Sequence, residues 1–170
     1  MKNRKMFYLK SVLFVVLSLM IQAVSFAQSA ANFSGLWAFN ESKSNLGEGG
    51  MRMISQIVTI TQNDNSFTID RSFTGQDGEE RKMSETYTLD GKESVNPAFN
   101  TSKKSTATFA ADKKSLTVSS VMIFEMNGEK IEIKTVEIYK LADADKTLSI
   151  DSQSTSSRGE RKTSLVYDKK

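Results

Sequence analysis

The chain has 170 residues, with 23 Lys and Arg against 20 Asp and Glu, and neither His nor Cys. Those two absences exclude a disulfide framework, the common zinc ligand sets, the Ser-His-Asp triad and the Cys-His pair, and with them most hydrolase mechanisms. The formal charge of +3 resides in the N-terminal segment, where Lys2, Arg4, Lys5 and Lys10 meet no acidic residue; the rest is close to neutral and has no electrostatic footprint for nucleic acid or anionic lipid.

Residues 1–27 have the three parts of a secretory signal: a basic start, an apolar stretch from Val12 to Ile21, and a small-residue exit at Ser25-Phe26-Ala27. The expected cut follows Ala27, so the mature protein would begin at Gln28 and work in the periplasm or outside the cell. The apolar run is short for a membrane span, and no Cys is present to carry a lipid anchor. Membrane insertion after cleavage is not expected. Residues 28–170 are then a single domain.

Past the signal, apolar and polar residues alternate with period two between Gly, Asn, Asp and Lys clusters, which is the pattern of half-buried strands. Phe33–Asn40 is the first, followed by a Gly- and Ser-rich loop over Glu41–Gly50. Ile54–Gln62 and Ser66–Phe73 flank a turn at Asn63-Asp64-Asn65, with Phe67, Ile69 and Phe73 on one face. Arg81–Leu89 follows the Gly75–Gly78 turn and places Met83, Tyr87 and Leu89 together. After the Asp90-Gly91 turn comes a loop with the only proline, Pro97. Thr101–Ala110 leads to Leu116–Met126, and Asn127-Gly128 is a strong hairpin signal before Lys130–Leu141. Thr147–Ser156 and Arg161–Tyr167 form the last pair.

The stretch Ala110–Val118 is echoed by Ala142–Ile150, thirty-two residues later, as a good turn used twice. That spacing asks for strands of about a dozen residues, or roughly 40 Å at 3.4 Å each, long for a sandwich and suited to tilted barrel strands. The pattern predicts an all-β fold: an antiparallel up-and-down barrel of eight or nine strands, with a two-sheet β-sandwich as the alternative.

The opening Asn32-Phe33-Ser34-Gly35-Leu36-Trp37, with Asn40-Glu41-Ser42-Lys43-Ser44, Leu89-Asp90-Gly91-Lys92, Arg158-Gly159-Glu160 and Val166-Tyr167, resembles bacterial secreted lipocalin-like domains of the calycin type. The resemblance spans nearly all of the mature length, though the chain lacks the disulfides and C-terminal helix of lipocalins. It implies that Gly35 permits a bend, that Trp37 plugs one barrel end, and that an Arg from a late strand covers the indole. Arg158 and Arg161 are the candidates for that cover. It also implies binding rather than catalysis.

Three charges interrupt apolar faces: Arg71 between Ile69 and Phe73, Glu85 between Met83 and Tyr87, and Glu137 two positions before Tyr139. By alternation all three point inward. Arg71 is then either half of a structural ion pair or a clamp for a ligand's carboxylate, with Tyr87 and Tyr139 on the wall. The expected function is therefore an exported, non-enzymatic binding protein for a small, largely apolar ligand, with an acidic head as one option. The alternative is an envelope module that binds a glycan or protein through its surface. No cofactor or metal is expected: Asp143 and Asp145 lack calcium-loop spacing and read as a turn. Ser with Lys, or Glu85 with Glu137, would be the residues of an enzyme, but such types are too common here to signal one. The sequons at Asn32, Asn40 and Asn100 are incidental.

Overall fold

A computed structural model describes residues 29–47, 54–74, 78–98, 100–126 and 128–170. The signal segment and the cut after Ala27 lie outside these residues, as does the middle of the long loop. The described chain forms ten strands: β1 Gly35–Phe39, β2 Ile57–Gln62, β3 Ser66–Thr74, β4 Glu80–Thr88, β5 Ser94–Ala98, β6 Thr101–Phe109, β7 Ser115–Met126, β8 Glu129–Ala142, β9 Thr147–Ser156 and β10 Gly159–Lys169. The one helical turn among the described residues is a 3-10 turn at Glu41–Lys43, capped by the Asn40 side chain, which accepts from the Lys43 N–H at 3.2 Å.

All ten strands belong to one antiparallel sheet in the order β4-β3-β2-β1-β10-β9-β8-β7-β6-β5. The first strand joins the last, with Trp37 opposite Lys169 and Phe39 opposite Tyr167. This single meander is a nearly closed barrel, and the two-sheet sandwich is excluded. The count is ten where the turns predicted eight or nine. The addition is β5, whose Pro97 argued for a loop; proline is accommodated because β5 is an edge strand with a backbone ladder only to β6.

Strand direction sorts the connections. The N-terminal approach and the β2–β3, β4–β5, β6–β7 and β8–β9 turns share one end. The loop after β1 and the β3–β4, β5–β6, β7–β8 and β9–β10 connections share the other. The first end is packed solid: Phe33, Trp37, Val58, Phe67, Ile69, Tyr87, Ala107, Leu116, Tyr139 and Leu148 have no measurable exposure and form one cluster. Period-two patterning from every long strand converges there, so one core serves the fold.

Candidate functional site

Trp37 closes the packed end. Its Nε1 donates to the Phe33 carbonyl at 3.0 Å, and the Lys169 ammonium lies 5.1 Å from the ring centroid. Gly35 has φ +152, and a Cβ there would stand 3.1 Å from Lys169 Cε, so the missing side chain leaves room for the lysine stem over the indole. The covering cation is Lys169, and neither Arg158 nor Arg161 takes that place. The reason is strand direction: β10 enters at the far end, where Arg158 is exposed in the β9–β10 turn, and reaches Trp37 only at its last residues. Arg161 instead lines a cavity of about 170 Å³ with Leu46, Ile54, Ser152, Ser154, Thr163 and Leu165.

The three charges singled out from the sequence meet inside the barrel. Arg71 Nη1 donates to Glu85 Oε2 at 2.5 Å; Nη2 donates to Glu137 Oε1 at 2.9 Å and to the Tyr139 hydroxyl at 2.8 Å. The Tyr139 hydroxyl in turn donates to Glu137 Oε2 at 3.0 Å, and Tyr87 donates to Glu85 Oε2 at 3.0 Å. Lys103, on β6, completes the set by pairing with Glu85 Oε1. Two cations and two carboxylates therefore balance. Glu85 is fully buried, while the side chains of Arg71, Lys103 and Glu137 are 14, 17 and 17% exposed.

Burial works against the charges of Arg71 and Glu137, so the state of each depends on its partners. Desolvation would raise the Glu137 pKa, yet Arg71 and Lys103, with hydrogen bonds from Tyr139 and Arg71, hold it below the usual carboxylate value. Burial likewise opposes the Arg71 cation, which Glu137, Tyr139 and Glu85 hold firmly charged. Burial, joined by the nearby carboxylates, pushes both Tyr87 and Tyr139 well up, so the two phenols stay neutral donors. Their rings belong to the apolar half: Phe67 lies 6.2 Å from Tyr87 and 5.2 Å edge-on to Tyr139, and Phe33 packs edge-on to both Phe67 and Tyr139.

Beyond this layer, toward the open end, lies a cavity of about 700 Å³ lined by Asn100, Thr101, Met122, Ile123, Phe124, Glu125, Lys130 and Ile133. Lys103 stands opposite Met122 in the β6–β7 ladder, so the charged layer adjoins the cavity wall. Sequence reasoning assembled Arg71, Glu85, Glu137, Tyr87 and Tyr139 but passed over Lys103. Its inward neighbours Ser105 and Ala107 are small, so its face gave no apolar stripe to interrupt.

The geometry is that of a nearly closed antiparallel barrel with a plugged end, a polar internal layer and a cavity toward the mouth. Among solved structures, the chain is similar to the zebrafish ileal bile acid-binding protein in complex with cholic acid, at 14% identity and a TM-score of 0.54 over 81% of this chain and 98% of that one. It is also similar to a secretory abundant heat soluble (SAHS) protein from Ramazzottius varieornatus, at 12% identity and a TM-score of 0.53 over 84% and 98%. No protein-family model matches the chain, and no curated protein matches it.

Proposed function

We propose that this protein is an exported, non-enzymatic carrier that reversibly binds a small, largely apolar molecule in the cavity between the charged layer and the barrel mouth. The observation that carries the reading is the cavity of about 700 Å³ walled by Met122, Phe124 and Ile133. Sites for small ligands commonly have roughly 300–1,000 Å³ and an apolar lining with few polar groups. The bile acid-binding protein, a barrel of the same fold, adds support by its name and its cholic acid. Export rests on the N-terminal sequence, whose charge, apolar run and Ser25-Phe26-Ala27 exit suit cleavage.

The acid-clamp version at Arg71 is replaced in this reading. Both terminal nitrogens of the guanidinium already hold internal carboxylates, and a ligand carboxylate would have to displace one of them into a buried, unpaired state. Arg71, Glu85, Glu137, Tyr87 and Tyr139, with Lys103, serve instead as a neutral polar floor. Native mass spectrometry of protein recovered from its own host's envelope, before and after an Ile133→Asp substitution, tests the carrier. A co-purifying small molecule that the folded variant loses is the expected result. Protein that arrives empty, and that takes up no Nile red in titration, refutes the carrier and moves the surface interaction module ahead.

A further inference from the structure

The inner wall carries a second polar feature, a row of hydroxyls that the strand register brings together. From β5 to β10, Ser94 faces Ser105, Ser105 faces Ser120, Ser120 faces Thr135, Thr135 faces Ser154, and Ser154 faces Arg161. Alternation turns all of them inward, since Ala98, Ala107, Val118, Tyr139, Ile150 and Tyr167 share their faces and are buried. The next inward residue toward the mouth is Met122 after Ser120 and Ile133 before Thr135, so the row lies about 7 Å below the apolar wall of the large cavity. At its far end, Ser154 also lines the cavity of about 170 Å³, with Ser152, Thr163 and Arg161. The row therefore runs from the floor of one cavity into the wall of the other.

Each hydroxyl offers one donor and two acceptor lone pairs, and this row uses few of them. Thr135 Oγ1 and Ser154 Oγ share one hydrogen bond at 2.9 Å, Ser120 Oγ reaches the Thr135 carbonyl at a long 3.4 Å, and Ser94 Oγ accepts from the Thr88 N–H at 3.0 Å. Ser105 is 2% exposed, and among the described residues its Oγ meets no hydrogen-bond partner. An unmet buried hydroxyl is more costly than an alanine in its place. Ala107, the next residue inward on β6, shows that this wall accommodates one. The orphan hydroxyl therefore points to a partner that the fold does not supply. An acidic head would find its natural partners taken, because Arg71 and Lys103 are held by Glu85 and Glu137, and Arg161 too is engaged within the chain.

We propose that the row Ser105–Ser120–Thr135–Ser154 is the head-group subsite of the carrier, and that its ligand is a neutral amphiphile with a hydroxyl-bearing head, of the monoacylglycerol type, whose tail fills the large cavity. The proposal rests on the carrier reading and deepens it. Hydroxyls that both donate and accept match a head that does the same, and the paired charges of the floor leave nothing for an ionised one. Isothermal titration calorimetry with monolaurin, methyl laurate and lauric acid, which share one acyl tail, separates the head from the tail. Monolaurin should bind about tenfold more tightly than methyl laurate, as one or two net hydrogen bonds imply, and lauric acid no more tightly than the ester. Ser105→Ala should weaken monolaurin about tenfold and leave methyl laurate as it was. The same substitution should leave the empty protein's stability in urea unchanged or raised, because the deleted hydroxyl has no partner in the fold. Thr135→Val, close in shape, should split the two ligands in the same way.

Monolaurin that binds no more tightly than methyl laurate, or variants that weaken both alike, would overturn the head-group subsite while leaving the carrier in place. Lauric acid as the tightest of the three would overturn the neutral head. A Ser105→Ala protein that is clearly less stable when empty would show that this hydroxyl serves the fold, and the subsite would lose its premise. If neither the three laurate probes nor Nile red binds, the carrier reading fails and the subsite falls with it.

Discussion

Replacing Arg71 with Met keeps most of the side chain's length and removes only the charge and its donors. Glu85 would keep Lys103 and Tyr87, and Glu137 would keep Tyr139, but the internal layer would go from neutral to a net charge of −1. Breaking a buried pair by deleting one partner costs about 3–5 kcal/mol, because the survivor remains buried and uncompensated. Unfolding in urea, followed by the emission of Trp37, the only tryptophan, would measure it. The pH dependence carries a sharper signature. In the wild type, Glu137 has a folded pKa below its ordinary 4.5, so its contribution is complete above that value and is lost as pH falls through the folded pKa. Without Arg71, burial dominates and raises the folded pKa above the unfolded one. The folded variant then binds the extra proton, and its stability rises as pH is lowered from neutrality toward 5. A loss below about 1 kcal/mol at pH 7.5, or a variant whose stability falls toward acid as the wild type's does, would refute the account of the layer as a self-neutralised network.

Two further outcomes follow from the same geometry. The raised pKa values of Tyr87 and Tyr139, with Tyr167 pushed up to about 12 by burial, mean that unfolded phenols ionise before folded ones. Stability is thus complete below pH 10 and declines as pH rises beyond it, and alkaline urea titrations should show that slope, weakened in Tyr139→Phe. Lys169→Ala should cost about 0.5–1 kcal/mol, as an exposed cation–π contact does, and should shift Trp37 emission, whereas Arg158→Ala should leave that emission where it is.

Much of this architecture was legible because one physical rule, period-two burial, acts on every long strand. Phe67, Ile69 and Phe73 announced the inner face of β3, and the interruptions at Arg71, Glu85 and Glu137 stood out against it. That these charges meet one another follows from barrel closure. β3 and β8 are remote in the chain, so their pairing had no local signal, and the sequence left both ion pair and ligand clamp open. β5 escaped notice because Pro97 is a sound argument against a central strand and has no force at an edge. The cation over Trp37 was misplaced because Arg158, in the turn before β10, and Arg161, near its start, lie at the wrong end of that strand. The echoed turns at Ala110 and Ala142 proved superficial: the second holds Asp143, Ala144 and Asp145 all at positive φ, the first only Lys113. Similar residues entered strands through different backbones.

The placement of buried charge at this level of the barrel has its own logic. Arg71 and Glu85 sit on β3 and β4, on one side of the seam between the edge strands β4 and β5, which Asn96 and Ser94 bridge by hydrogen bonds to the backbone of Thr86 and Thr88; Lys103 and Glu137 sit on β6 and β8, beyond β5 on the other. The Arg71–Glu137 and Lys103–Glu85 pairs therefore brace strands that no backbone ladder connects directly. Apolar filling would hold the volume without directing which strands meet, since burial of hydrocarbon is non-directional. This makes a counterintuitive expectation. Converting all four residues to Met or Leu, with Tyr87 and Tyr139 changed to Phe so that no buried hydroxyl loses its acceptor, removes the desolvation cost with the charges and should leave global stability unchanged or raised by about 1–4 kcal/mol. The seam should nevertheless loosen, with faster exchange at Thr86 and Thr88 than in the wild type. If the apolar variant proves at once more stable and equally closed at the seam, the charges do not brace it, and the hydrogen bonds of Asn96 and Ser94 hold that joint alone.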